Sequence, residues 1–175
     1  LMNAYNSQRV GAGTVALGLA VGAYRNALEF AKEREQFGRP IAEFQGLQWM
    51  LADMSVQIEA ARSLLHKAAL SAGQNGSPFP DPTLAAQGKI FTSEMALKVT
   101  NDALQMFGAR GYSRNYPMER LARDARMFTI GGGTAQILRT VVASRILEMK
   151  LPQTREGFLQ MAEQEASKKG LQAAE

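Results

Sequence analysis

Apolar residues recur at α-helical spacing along most of this chain, and no convincing strand pattern appears. That periodicity limits the fold more than any motif does. From about Asn3 to Arg34 it runs through Val15, Leu19, Tyr24, Leu28 and Ala31, predicting one long amphipathic helix. Gly38 and Pro40 in FGRPIAEF break it. A second helix is expected from about Glu43 to Ala72, with Leu47, Met50, Leu51, Met54, Ile58, Ala61 and Leu65 on one face. After the loop GQNGSPFPDP a third should run from about Pro82 to Phe107 and stop at GARGY. A short fourth helix should follow Pro117, and a fifth should run from Thr134 to Met149, with Pro152 ending it. Long helices joined by short turns predict an all-α fold, an antiparallel up-down bundle. Residues 1–151 read as the helical domain and 152–175 as a polar tail, mobile beyond Phe158.

Composition removes several function classes. The chain has 175 residues, no cysteine and one histidine, His66, so disulfide and thiolate chemistry and a histidine-built metal site or triad are not expected. The net charge of +4 is spread through periodic helices without a dense run or interleaved aromatics. That favours an anionic small molecule over nucleic acid. No apolar run reaches membrane-spanning length and no signal peptide is visible, so the expected compartment is the cytoplasm, with no membrane partner. The sequence begins with Leu1 in mid-pattern, as expected of a piece of a longer protein. GAGTVA at 11–16 matches a dinucleotide fingerprint, but no strand precedes it. Gly11, Gly13, Gly18 and Gly22 read instead as sites of close helix packing, the nine methionines as core filling, and His66 as a surface residue.

The sharpest local anomaly is FTIGGGTAQI, which places three consecutive glycines before the fifth helix. Each glycine costs a helix about 1 kcal/mol relative to alanine. A glycine-rich lead into a helix offers unblocked N–H donors backed by the positive end of the helix dipole. Thr134 suits the N-cap of that helix whatever binds there.

Three segments, REQFGRPIAEFQGLQWMLADM, QMFGARGYSRNYPMERLARDARMF and IGGGTAQILR, together resemble the C-terminal helical domain of the flavin-dependent acyl-CoA dehydrogenases. The resemblance runs from Tyr5 to about Leu151. It implies α,β-dehydrogenation of an acyl-CoA thioester with FAD, in a homotetramer whose flavin contacts cross subunits. By that resemblance Arg34, Gln36 and Phe37 reach the FAD of a neighbouring subunit, Gln105, Gly108 and Ala109 form the second turn of the same site, and Thr134 and Gln136 also contact FAD. A guanidinium suits a pyrophosphate, an aromatic ring suits adenine, and small residues let backbone N–H groups approach phosphate. Tyr5, Asn6, Arg9 and Gly133 match substrate contacts. The Gly132 N–H matches the donor that polarises the thioester carbonyl, worth about 3–4 kcal/mol in sites of this kind. Arg9 would face CoA, the flavin or an anionic acyl terminus, or else pair with a carboxylate on the helix surface. Arg123 and Asp124 are expected to form an ion pair that fixes the loop before the glycines.

The chain departs from the family where a base is needed. The glutamate that usually takes the α-proton stands at the position of Gly132, and some relatives place it instead at the position of Gln8. Neither residue here can accept a proton at physiological pH. Three readings follow: a dehydrogenase whose base lies elsewhere, a reaction that needs no α-proton abstraction, or a bundle that serves only oligomer contacts. The FAD-contact pattern disfavours the last. YNSQRVGAG, AEFQGLQWM, KVTNDALQMFG and KLPQTREG are similar to the 3-sulfinopropionyl-CoA desulfinases, an acyl-CoA dehydrogenase-like branch that releases sulfite without net redox.

Overall fold

A computed structural model describes residues 2–152 and 154–172. The chain is all-α, as the periodicity predicts. Helix α1 spans Met2–Glu33, α2 Gln45–Leu70 and α3 Pro82–Phe107. One-turn α4 follows at Ala109–Tyr112, then α5 at Met118–Met127 and α6 at Ala135–Ile146. Between α1 and α2, two-residue strands β1 (Glu35–Gln36) and β2 (Arg39–Pro40) pair antiparallel in a minimal hairpin that the pattern did not predict. Its turn places Phe37 at φ +54° and Gly38 at φ +78°.

The start of α3 follows directly from sequence. Asp81 caps it, its Oδ1 accepting from the Thr83 and Leu84 amides at 2.9 Å, and Pro82 stands in the first turn. Gly108, at φ +57°, ends it.

Packing against α3 gives α1 an inner face that keeps Ala31, with Leu19 and Tyr24 at its border, but is built mostly of alanines and leaves Val15 out. Ala16, Leu17, Ala20, Ala23, Ala27 and Ala31 are buried, whereas Val15 is 56% exposed. Helix α3 buries Ala85, Ala86, Ala96 and Ala103, so small side chains on both helices let their axes approach closely. Of the four α1 glycines only Gly13 is closely approached, and by α2: a Cβ there would lie 2.7 Å from Leu65 Cδ2, while Gly11, Gly18 and Gly22 face open space. The α2 face is as expected, with Met54, Ile58, Ala61 and Leu65 buried. Phe30 stacks on Phe107 at 4.0 Å between ring centroids, closing the end of the core beside the hairpin.

The expected Arg123–Asp124 pair does not form. Adjacent helical residues point apart, and Arg123 instead meets Glu119, one turn away, at 3.4 Å. Helix α6 ends before the predicted Met149: Glu148 turns left-handed at φ +54°, and the Ser144 hydroxyl donates to the Met149 carbonyl. The described chain divides into two compact units, Leu1–Val142 and Ala143–Glu175. In the second, Arg155–Gln172 of the polar tail form helix α7, which the sequence reading did not predict. No helix among the described residues is long and apolar enough to cross a membrane.

Candidate functional site

Two clusters of chemically suited residues lie at opposite ends of α1, within the Leu1–Val142 unit. The first surrounds the exit of α1. Phe30, Arg34, Gln36, Ile41, Met106, Phe107, Gly108, Ala109 and Arg110 line a cleft of about 400 Å³. The fold thus joins the RxQFG turn to the turn after α3, bringing Arg34 and Gln36 to Gly108 and Ala109. Arg110 lies 5.8 Å from the Phe30 ring centroid and adds a cation that the sequence reading did not single out. Gln105 is exposed on the last turn of α3, its carbonyl accepting from the Gly108 amide at 3.0 Å, and it stands outside the cleft lining. Phe37 is 94% exposed at the hairpin tip, its ring edge-on to Phe44 at 6.1 Å. An aromatic ring displayed on a left-handed backbone, with solvent nearly all round it, is arranged to meet something outside the chain.

The second cluster joins the start of α1 to the glycine turn. Two of the three glycines have a backbone reason. Gly132 and Gly133 take φ +71° and +95°, whereas a Cβ at Gly131 would meet the end of the half-exposed Met127 side chain, at 2.9 Å. A Cβ at Gly132 would lie 3.7 Å from the Gln8 carboxamide, so the two positions where the sequence resemblance leads to the expectation of a glutamate face each other. Among the described residues, the Gly132, Gly133 and Thr134 amides have no backbone or side-chain acceptor. Thr134 caps α6, its Oγ1 accepting from the Ile137 amide at 3.2 Å, and Gln136 is exposed in the first turn. Tyr5 is 44% exposed.

Beneath this turn the charge is positive. Arg9 is 8% exposed; its Nη1 donates to Asn6 Oδ1 at 3.0 Å and its Nε has no partner among the described residues. Pairing with a surface carboxylate, one of the readings open for Arg9, does not occur among those residues. Lys89, fully buried on α3, donates to the Gly133 carbonyl at 2.6 Å. Burial lowers the pKa of both side chains, and Arg9 lowers that of Lys89 further. Sequence reasoning missed Lys89. The available signal was its place on the inward stripe of α3, among Ala85, Ala86, Thr92 and Ser93, where a charge is out of pattern.

With this geometry in view, comparison with known proteins is decisive for the family. Residues 1–147 match the family described as acyl-CoA dehydrogenase, C-terminal domain. The chain belongs to the acyl-CoA dehydrogenase family. It is 70% identical over 159 residues to a 3-sulfinopropanoyl-CoA desulfinase of Cupriavidus necator, covering 91% of this chain and 39% of that protein. Against a short-chain-specific acyl-CoA dehydrogenase of Clostridium acetobutylicum it is 43% identical over 145 residues, 83% of this chain and 38% of the other. The structure of butyryl-CoA dehydrogenase from Megasphaera elsdenii superposes with a TM-score of 0.77 at 42% identity, over 82% of this chain and 37% of that one. The chain therefore spans about two fifths of the length of these acyl-CoA dehydrogenase family proteins.

Proposed function

We propose that the protein carrying this domain is an acyl-CoA dehydrogenase-like desulfinase that cleaves 3-sulfinopropanoyl-CoA and releases sulfite, rather than a dehydrogenase. The observation that carries this reading is the facing pair Gln8 and Gly132. Both usual base positions lie in one place, and neither holds a carboxylate. The 70% identity to a desulfinase, against 43% to a dehydrogenase, supports it.

The reaction balances without an external oxidant. Water and the sulfinate give propanoyl-CoA and sulfite: the C3–S bond breaks, a C–H bond forms at C3, and sulfur gains the water oxygen. In this reading the free Gly132 amide donates to the thioester carbonyl. Gln8 donates its amide hydrogens to the sulfinate, with the positive charge of Arg9 beside it. Tyr5 and Gly133 complete the substrate surface, and the buried Asn6 serves it by holding the Arg9 guanidinium. A glutamate at either base position would repel the anionic sulfinate.

The residues also fit FAD, an anion carrying both a pyrophosphate and flat rings. Arg34, Gln36, Gly108 and Ala109 line one cleft, and Gln105 and Phe37 flank it. Thr134 and Gln136 stand at the other end of α1, about 38 Å away at 1.5 Å per residue from Gln8 to Glu33. That span favours contacts to two different flavins and hence a homo-oligomer, proposed as a tetramer. FAD would supply a flat, electron-accepting ring beside the acyl chain. Residues 1–151 are proposed as the helical FAD and acyl-CoA domain, and 152–175 as an appended segment. A flavin spectrum of the full-length protein, with sulfite measured after addition of 3-sulfinopropanoyl-CoA, tests the proposal. Flavin absorbance together with sulfite release is expected.

A further inference from the structure

We infer that Lys89 is a positioning residue for the reaction, acting through the Gly133 carbonyl to hold the glycine turn against Gln8. The inference rests on the proposed use of the Gly132 amide as donor to a thioester carbonyl. Burying an ammonium is costly, and a lysine that only fills space is readily replaced by methionine. Lys89 is fully buried, and its one hydrogen-bond partner among the described residues is a carbonyl 44 positions away, at 2.6 Å. No carboxylate among those residues pairs with it. The charged groups around it are Arg9 from α1 and the carbonyl dipole of Gly133.

What the bond restrains is the part of the chain least able to restrain itself. Gly132 and Gly133 both occupy left-handed backbone, where glycine has many competing conformations. Leu138 approaches from below, 3.3 Å from where a Gly133 Cβ would stand. With Lys89 holding the carbonyl and Leu138 packed beneath, the turn is anchored to α3 and α6, and its free amides keep one direction. The positive charge stays under the turn, where it favours a polarised, oriented thioester carbonyl on the Gly132 amide.

The test uses the full-length protein with Lys89→Met, which keeps the stem and removes the donor. The first readout is the carbonyl stretch of bound succinyl-CoA labelled with carbon-13 at the thioester, a carboxylate analogue of 3-sulfinopropanoyl-CoA. In the wild type this band should fall below its frequency in water, and in Lys89→Met it should return toward the water value. The second is turnover: kcat should drop by about tenfold to a hundredfold, as a misplacement of about 1 Å costs, with KM nearly unchanged. Lys89→Gln, with a shorter donor toward the same carbonyl, should recover part of both. An unshifted band, with kcat within threefold of wild type, overturns the inference. Loss of folding in both variants also overturns it, leaving a purely structural lysine. Sulfite release by the wild type tests the desulfinase reading separately, because the carbonyl band reports how the thioester is held and does not depend on which reaction follows.

Discussion

Replacing the Gln8 carboxamide by a carboxylate changes little in shape and much in charge. If Gln8 donates to a sulfinate, Gln8→Glu turns a donor into a like charge and should depress sulfite release by about 2 kcal/mol or more. The same variant should gain detectable dehydrogenation of butyryl-CoA, followed with an artificial electron acceptor. Unchanged sulfite release would remove Gln8 from the sulfinate contact. Gly132→Glu is a poorer test, because φ +71° strains any side chain there by about 1–3 kcal/mol. Lys89 carries a pH prediction. Its pKa is lowered on folding by burial and by Arg9, so the unfolded chain binds that proton more tightly. Stability must then rise with pH between the lowered value and the ordinary lysine value, where the cost of burying the charge is relieved. Denaturation of wild type and Lys89→Met across that range should show a more positive pH slope in the wild type. The proposed base vacancy rests on the sequence resemblance, which puts glycine and glutamine where a glutamate is expected; the facing of the two positions was not legible there. Nor was Lys89, because its partner is a backbone carbonyl from a distant turn and no sequence pattern encodes that pairing.

At the scale of elements, the five longer helices of residues 2–146 and their order followed from periodicity, and α3 was placed to the residue because Asp81, Pro82 and Gly108 mark its ends. The inner face of α1 was read only in part, for a physical reason: Ala31 is buried and Leu19 and Tyr24 border the core, but close approach to α3 selects alanine at its centre. Hence Val15 lies outward and the alanine stripe lies in. The glycines of α1 make this measurable. Gly18→Ala meets nothing and should stabilise the fold by about 0.5–1 kcal/mol through helix propensity. Gly13→Ala drives a methyl against Leu65, and overpacking of about 1–3 kcal/mol should outweigh that gain. Chemical denaturation midpoints for the two variants should move in opposite directions. The hairpin and α7 escaped the pattern because two-residue strands and a polar helix carry no apolar period.

At the scale of the whole molecule, the two ends of α1 impose different duties. The cleft at Arg34 and the exposed Phe37 are proposed to serve a neighbour's FAD, while Thr134 and Gln136 serve another. Arg34→Ala in the full-length protein should then weaken FAD retention about tenfold to a hundredfold, the loss of a charge-assisted contact of about 1.5–3 kcal/mol. Flavin occupancy after dialysis reads this directly, and an unchanged occupancy would remove Arg34 from the site. The central claim is that two facing positions without a carboxylate have turned an acyl-CoA dehydrogenase fold from proton abstraction to desulfination. Turnover of the full-length protein on 3-sulfinopropanoyl-CoA and on butyryl-CoA, following sulfite and acceptor reduction together, tests it most directly. Sulfite and propanoyl-CoA from the first substrate, with no acceptor reduction from the second, is the predicted result; brisk reduction with butyryl-CoA and no sulfite would contradict it.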